Sequence, residues 1–434
     1  MSASTPTNAA LMSRRAEAIP RAIGNAHAIF AEKALGSLIW DVEGKRYIDF
    51  CAGIAVVNTG HCHPRIVEAV QAQLPRFTHT CFQVVAYESY VRLAERLCEL
   101  APGSFAKKAF FMTTGAEAVE NAIKLARAYT GRSALIAFNG AFHGRTMYSL
   151  ALTGKVEPYK TGFGPMAPEV YHAPFPSPIH GISVEDAIAG IEKLFKNDVD
   201  PSRVAAIFVE PVQGEGGYIP AAPEFLRHLR TLCDRHGILL VADEIQTGVA
   251  RTGKMFAMEH SGVVPDLITM AKGLGGGMPI SAVVGRADVM DHSNPGALGS
   301  TYAGNPLACA AALAVLDVVA EEKLCDRSLA IGERMRAFFR DLAGQHKSIG
   351  DVRGLGAMTA VEFFHGGDRS KPAPEIANAL KTEAAKRGLL LLTCGNNGNV
   401  LRLMVPLVIS DAVLDEGLRI IGEILGELVA QGKA

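Results

Sequence analysis

The sequence predicts an α/β fold, and three observations carry that prediction. Short β-rich apolar runs recur through the middle of the chain, helical stretches separate them, and two of the runs end abruptly in charge. The runs are KAFFM at 108–112, SALIAF at 133–138, VAAIFVE at 204–210, GILLVADE at 237–244, DLITMA at 266–271 and ISAVVG at 280–285. Strands joined through helices imply right-handed crossovers and a largely parallel sheet covered on both faces. This large domain is expected over residues 65–324.

Ahead of it, LIWDVEGKRYIDF at 38–50 alternates apolar and polar residues around Glu43-Gly44, as a β-hairpin does. From residue 325 the chain is helical again, then carries GAMTAVEFF at 356–364, a helix near 374–387, LLLLTC at 389–394 and NVLRLMVPL at 399–407. A smaller α/β domain is therefore expected from an N-terminal segment, 1–64, and a C-terminal one, 325–434. The Pro- and Gly-containing segment 162–181 reads as an ordered loop. Residues 1–16 lack the apolar stretch of a signal-peptide core and read as a mobile arm.

Composition narrows the function. With 49% hydrophobic and 20% charged residues, the 434-residue chain has the usage of an ordinary globular protein. Its formal charge of -1 offers no field for nucleic acid or an anionic membrane, which points to small-molecule partners. LACAAALAVL at 307–316 is too short to span a bilayer. The eight cysteines form no CxxC pair, so they read as core residues of a reducing, cytoplasmic compartment rather than as a disulfide framework or zinc module. In GHCHP, the side chains of His61, Cys62 and His63 alternate sides on an extended segment, so no metal is expected there.

The charged strand ends carry the chemistry. In open parallel sheets ligands bind at the carboxyl ends of strands, which is where Asp243 and Lys272 both fall. Together they match what pyridoxal phosphate requires: an amine for a Schiff base, and a carboxylate that keeps the pyridine nitrogen protonated so that the ring acts as an electron sink. TTGAEAVENAIKLARAY at 113–129 offers a phosphate cradle, since Thr114 and Glu117 are spaced as a capping box and Gly115 lets the backbone come close. Taken singly, each feature has a plainer reading as a solvated lysine, a helix cap or a well-capped helix. Two rival motifs fail. GVARTGKM at 248–255 has P-loop spacing but places Met255 where a magnesium-binding Ser or Thr is required, and GLGGG at 273–277 lacks the spacing of a dinucleotide fingerprint.

From about residue 13 to the C-terminus the chain resembles class III, fold type I aminotransferases, and within them the bacterial 4-aminobutyrate enzymes. The resemblance runs through IDFCAGIAVVNTGHCHP, THTCFQ, TTGAEAVENA, FHGRT, EPVQGEGG, DEIQTG, MAKGLGGGMP, TYAGNP and GDVRGLGAM. It implies a mainly parallel seven-stranded sheet and pyridoxal 5'-phosphate as cofactor. Lys272 is then the Schiff-base lysine and proton shuttle, Asp243 the partner of the pyridinium nitrogen, and Gln246 a donor to the ring hydroxyl. Phe142 and Ile245 sandwich the ring, Gly115 and Ala116 lie in the phosphate cradle, and Thr301 reaches the phosphate of a neighbouring subunit. That arrangement implies a homodimer, or a homotetramer built from two. Relatives usually carry Ser at Ala116 and often Tyr at Phe142, so one hydroxyl hydrogen bond to phosphate is absent here.

For substrates, the resemblance implies that Arg145 grips a distal carboxylate and Arg402 the α-carboxylate of 2-oxoglutarate. Glu215 pairs with Arg402 when 4-aminobutyrate is bound. Ile54 and Gln83 complete the substrate wall, with Glu210 in a supporting, orienting role. The implied reaction is ping-pong transfer of the ω-amino group of 4-aminobutyrate to 2-oxoglutarate. The alternatives are 5-aminovalerate as donor, or an acetylornithine/ornithine-type ω-aminotransferase.

Overall fold

The structure, a computed structural model, describes residues 6–433. Seven strands form its main sheet in the order Lys107–Met112, Ser281–Arg286, Leu267–Met270, Leu239–Asp243, Val204–Val209, Ala134–Phe138, Val170–Ala173. The last five of these run parallel, while Ser281–Arg286 is antiparallel to both of its neighbours. The segment between Met270 and Ser281 is shorter than the dozen or so residues that a parallel crossover needs, so the chain has to return antiparallel.

Central strands such as Val204–Val209 are buried along their whole length because both faces are covered. Their side chains alternate between two cores. Ile136, Phe138, Ile207 and Val209 meet Phe225, Leu226 and Leu229 of helix Pro223–His236. Leu135, Ala137 and Ala205 instead meet Ala118, Val119, Ala122 and Leu125 of helix Gly115–Thr130. Each fully buried Leu contributes about 1.5–3 kcal/mol, and Leu229→Ala would cost about 2–5 kcal/mol through lost contact and a residual void.

All six apolar runs contain strands, but the loop expected over 162–181 needs correction. It holds the edge strand Val170–Ala173, paired in parallel with Leu135–Phe138, and a short 3-10 turn at Pro178–His180. An edge strand buries one face at most, so its polar residues do not mark it as a strand. The expected mobile arm is also corrected where it is described, because Asn8–Ala18 is a helix capped by Thr7. The Asn8 side chain donates to Asp41 (2.9 Å) and Glu43 (3.1 Å), tying that helix to the hairpin; residues 1–5 lie outside the described residues.

The hairpin forms as predicted, with Leu38–Asp41 antiparallel to Arg46–Asp49 and Gly44 at φ +82° in the turn. LLLLTC is divided between two sheets. Leu389–Leu390 adds in parallel beside Arg46–Asp49, whereas Leu392–Cys394 joins Ile349–Leu355, Met358–Phe363 and Val400–Leu403 in an antiparallel sheet. Arg402 is thereby delivered from a sheet that differs from the one that delivers Lys272 and Asp243.

Candidate active site

The carboxyl ends of the strands open into a cavity of about 310 Å³. Asp243 ends its strand there, Lys272 stands just beyond Met270, Gly115 follows Met112, Phe142 follows Phe138, and Glu210 follows Val209. Apolar runs bury the strands, and the residues within a few positions of each run's end are thus placed at the edge where a ligand can meet them.

Of the residues singled out from the sequence, Gly115, Ala116, Phe142, Glu210, Glu215, Asp243, Ile245, Gln246 and Lys272 line this cavity. Arg402 touches it through Glu215, since its Nη1 donates to Glu215 Oε1 at 2.5 Å. Arg145 lies beside the cavity wall, its guanidinium 6.0 Å from the Phe142 ring and 5.4 Å from the ring of Tyr159. Ile54, Gln83 and Thr301 are not among the lining residues. Ile54 is exposed in the turn Ala52–Ala55, Thr301 is exposed, and Gln83 donates to the Leu298 carbonyl at 3.3 Å beside a separate cavity.

The capping box is present. Thr114 Oγ1 accepts from the Glu117 N–H at 3.2 Å, and Glu117 Oε2 accepts from the Thr114 N–H at 2.8 Å. The N–H groups of Gly115 and Ala116 lack intrahelical acceptors and belong to the cavity lining, which makes this helix end suited to a dianion. A Cβ at Gly115 would lie 3.0 Å from Ile245 Cδ1, so glycine keeps the cradle open.

Asp243 is buried, and its orientation is fixed by His143 Nδ1 at 2.7 Å and by the Ile245 N–H at 3.1 Å. Burial opposes charge on His143, but the hydrogen bond and charge of Asp243 outweigh it, and the imidazole pKa is raised. Burial pushes Glu210 up to about 7, against the attraction of His143, while its oxygens accept from the N–H groups of Phe142 (3.0 Å) and Gly214 (3.1 Å). Glu210 therefore fixes two loops of the wall.

Lys272 is partly reachable through the cavity yet enclosed by protein, and this desolvation pulls its pKa down to about 8. Its backbone holds φ +42°, a left-handed conformation rare for a side-chain-bearing residue, and the next residue must be small because a Cβ at Gly273 would meet Asn58 Nδ2 at 2.5 Å. Arg402 suffers desolvation too, but the Glu215 carboxylate more than offsets it and raises its pKa; Glu215, despite burial, is lowered by Arg402 in return. Glu244, the other acid at the strand end, has turned away. It accepts from Thr247 Oγ1 and from the N–H groups of Ala257 and Met258, so it organises a loop instead of the cavity.

Sequence reasoning missed His143 and Tyr159. His143 stood inside FHGRT, and the need of a buried Asp243 for a partner could have drawn attention to it. Tyr159 lies in the connection after Met147–Leu152, where no periodicity marks it.

The donor set fits pyridoxal phosphate: an amine with a lowered pKa, an oriented carboxylate, backbone N–H groups at a helix start, a ring and an aliphatic wall, and a Gln246 whose buried amide oxygen has no hydrogen-bond partner among the described residues. The aminotransferase class-III family description matches residues 19–425. The chain belongs to this family. The aminotransferase is 55% identical over 422 residues to 5-aminovalerate aminotransferase DavT of Pseudomonas aeruginosa, covering 97% of this chain and 99% of that protein. It is 54% identical over 421 residues to 4-aminobutyrate aminotransferase GabT of Escherichia coli, with the same coverage of 97% and 99%. Among solved structures it superposes on ornithine aminotransferase of Toxoplasma gondii, in which PLP partly occupies the active site, with a TM-score of 0.88 at 32% identity, covering 99% of this chain and 97% of that one. The chain is thus a fold type I aminotransferase whose cofactor is pyridoxal 5'-phosphate.

Proposed function

We propose that this enzyme transfers the ω-amino group of 4-aminobutyrate to 2-oxoglutarate, giving succinate semialdehyde and glutamate. The observation that carries the reading is the Arg402–Glu215 pair beside Lys272. A ping-pong site must accept a substrate with one carboxylate and then one with two. Arginine recognises carboxylates through planar, paired donors. Arg145 serves the carboxylate common to both substrates. Arg402 serves the α-carboxylate of 2-oxoglutarate, and Glu215 neutralises Arg402 when the amine donor offers nothing there, since a buried arginine left unpaired is costly.

Pyridoxal phosphate supplies the electron sink for the pair left when the amine-bearing carbon loses its proton. Lys272 would carry that proton at its Nζ, because burial pulls its pKa down to about 8 and leaves the amine able to take a proton and give it back. Asp243, held by His143, would keep the pyridine nitrogen protonated. Gly115 and Ala116 would hold the phosphate, while Phe142, Ile245 and Gln246 would fix the ring. The enzyme acts as a cytoplasmic homodimer or homotetramer in which Thr301 of one subunit completes the site of another; the exposure of Thr301 away from its own cavity supports this. Ile54 and Gln83 contribute to the substrate wall at the same junction.

A second reading takes 5-aminovalerate as the main donor, favoured by the 55% identity to DavT against 54% to GabT. One methylene is worth only about 1–3 kcal/mol in discrimination. The test is kcat/KM for 4-aminobutyrate, 5-aminovalerate, ornithine and β-alanine with 2-oxoglutarate as acceptor. The proposal expects 4-aminobutyrate to lead; a lead for 5-aminovalerate establishes the second reading, and a lead for ornithine removes both.

A further inference from the structure

The two arginines assigned to substrate carboxylates are not independent, because one side chain contacts the surroundings of both. Tyr159 donates its hydroxyl to Glu215 Oε2 at 3.1 Å, while Arg402 holds Glu215 Oε1. Its ring lies 5.4 Å beneath the Arg145 guanidinium and 5.0 Å from the ring of Phe142. The loop that carries it is fastened on both sides. Lys155 Nζ donates to the Gly395 carbonyl at 2.9 Å, the Gly395 N–H donates to the Glu215 carbonyl at 3.0 Å, and Lys160 Nζ donates to the Ala151 carbonyl at 3.2 Å. Tyr159 is therefore held in register with the backbone of Glu215 itself.

We propose that Tyr159 is the positioning residue that sets the preference between one and two carboxylates: its hydroxyl latches Glu215 onto Arg402, and its ring backs Arg145. Each oxygen of Glu215 has its own donor in this arrangement. A ligand with a single carboxylate leaves the latch closed. A dicarboxylate must break the Arg402 contact and swing Glu215 away, losing the tyrosine bond as well, so the hydroxyl biases the site against dicarboxylates and α-amino acids in the amine-donor half-reaction. This rests on the reading in which Arg145 takes the shared carboxylate and Arg402 the α-carboxylate.

The test is calorimetric titration of the holoenzyme with glutarate and with pentanoate, which share a five-carbon chain and differ by one carboxylate. Tyr159→Phe keeps the ring and is expected to tighten glutarate about fivefold to tenfold, through loss of one hydrogen bond to a charged group, with pentanoate unchanged within about twofold. Tyr159→Leu removes the ring as well and is expected to weaken pentanoate about threefold or more through Arg145. Glu215→Gln is the control and should tighten glutarate at least as much as Tyr159→Phe. If Glu215→Gln shifts the glutarate-to-pentanoate ratio and Tyr159→Phe does not, the latch is overturned and the arginine assignment stands. If neither variant shifts it, the arginine assignment falls and the latch falls with it.

Discussion

Lys272 and Arg402 are two cations withdrawn from bulk water in one site, and they answer desolvation in opposite ways. For Lys272, burial outweighs the pull of Glu215, and the pKa falls to about 8. Arg402 meets the same penalty, but a carboxylate touching its guanidinium outweighs it, and the pKa rises. The difference lies in the partner rather than the depth. A lysine that can shed its proton near neutrality is fit to move one, whereas an arginine held charged is fit to recognise carboxylates.

The comparison breaks most visibly at the lysine. Lys272→Ala should lower turnover at least ~10³-fold, the scale of a lost proton-transfer group, measured as single-turnover rate with the amine donor. Retention of a tenth of the rate would remove Lys272 from the chemistry. Next in size, Glu215→Ala leaves Arg402 without its counter-ion and should destabilise the protein by about 2–4 kcal/mol, somewhat below a fully enclosed pair because Glu215 lines an open cavity. Thermal unfolding with and without glutarate checks this: the loss should be larger without it, since glutarate replaces the missing anion.

A smaller effect sharpens the contrast through pH. The folded pKa of Lys272, about 8, lies below its ordinary 10.5, so between these values the unfolded chain binds more protons and stability rises with pH. The contribution is complete above 10.5 and lost as pH falls through 8. Lys272→Met removes it, so the apo variant should gain stability over the apo parent progressively from pH 10.5 down to 8 and hold that gain below. A gain that is flat with pH would mean that Lys272 is not desolvated. The smallest expected change is Ala116→Ser, which adds one hydroxyl at the phosphate cradle and should tighten cofactor binding about fivefold to tenfold, read by titrating the apoenzyme with pyridoxal phosphate.

The sheet and its charged edge were legible because burial writes itself into composition. LLVA and LITMA are continuous apolar runs, and the charge that follows each, Asp243 or Lys272, can lie only at an edge. The capping box was legible because it is local, four residues of backbone chemistry with fixed spacing. Val170–Ala173 was not, since an edge strand with partly exposed residues depends on a partner far away in sequence. Nor was the helix Asn8–Ala18, which has no buried residue and is held by Asn8 against Asp41 and Glu43. His143 and Tyr159 were hidden for a third reason: each acts through a carboxylate brought in from another part of the chain, Asp243 in one case and Glu215 in the other. The substrate arginines were reached through the family resemblance, because no spacing rule places a strand-borne arginine opposite a loop-borne glutamate.

The central claim is that Arg402 serves the substrate with two carboxylates and is idle toward the one with a single carboxylate. Single-turnover rates of Arg402→Ala in each half-reaction test it most directly. The 2-oxoglutarate half should slow by about 10²-fold or more while the 4-aminobutyrate half changes by less than about tenfold, a difference of more than about 1.4 kcal/mol. Equal slowing of both halves would contradict it.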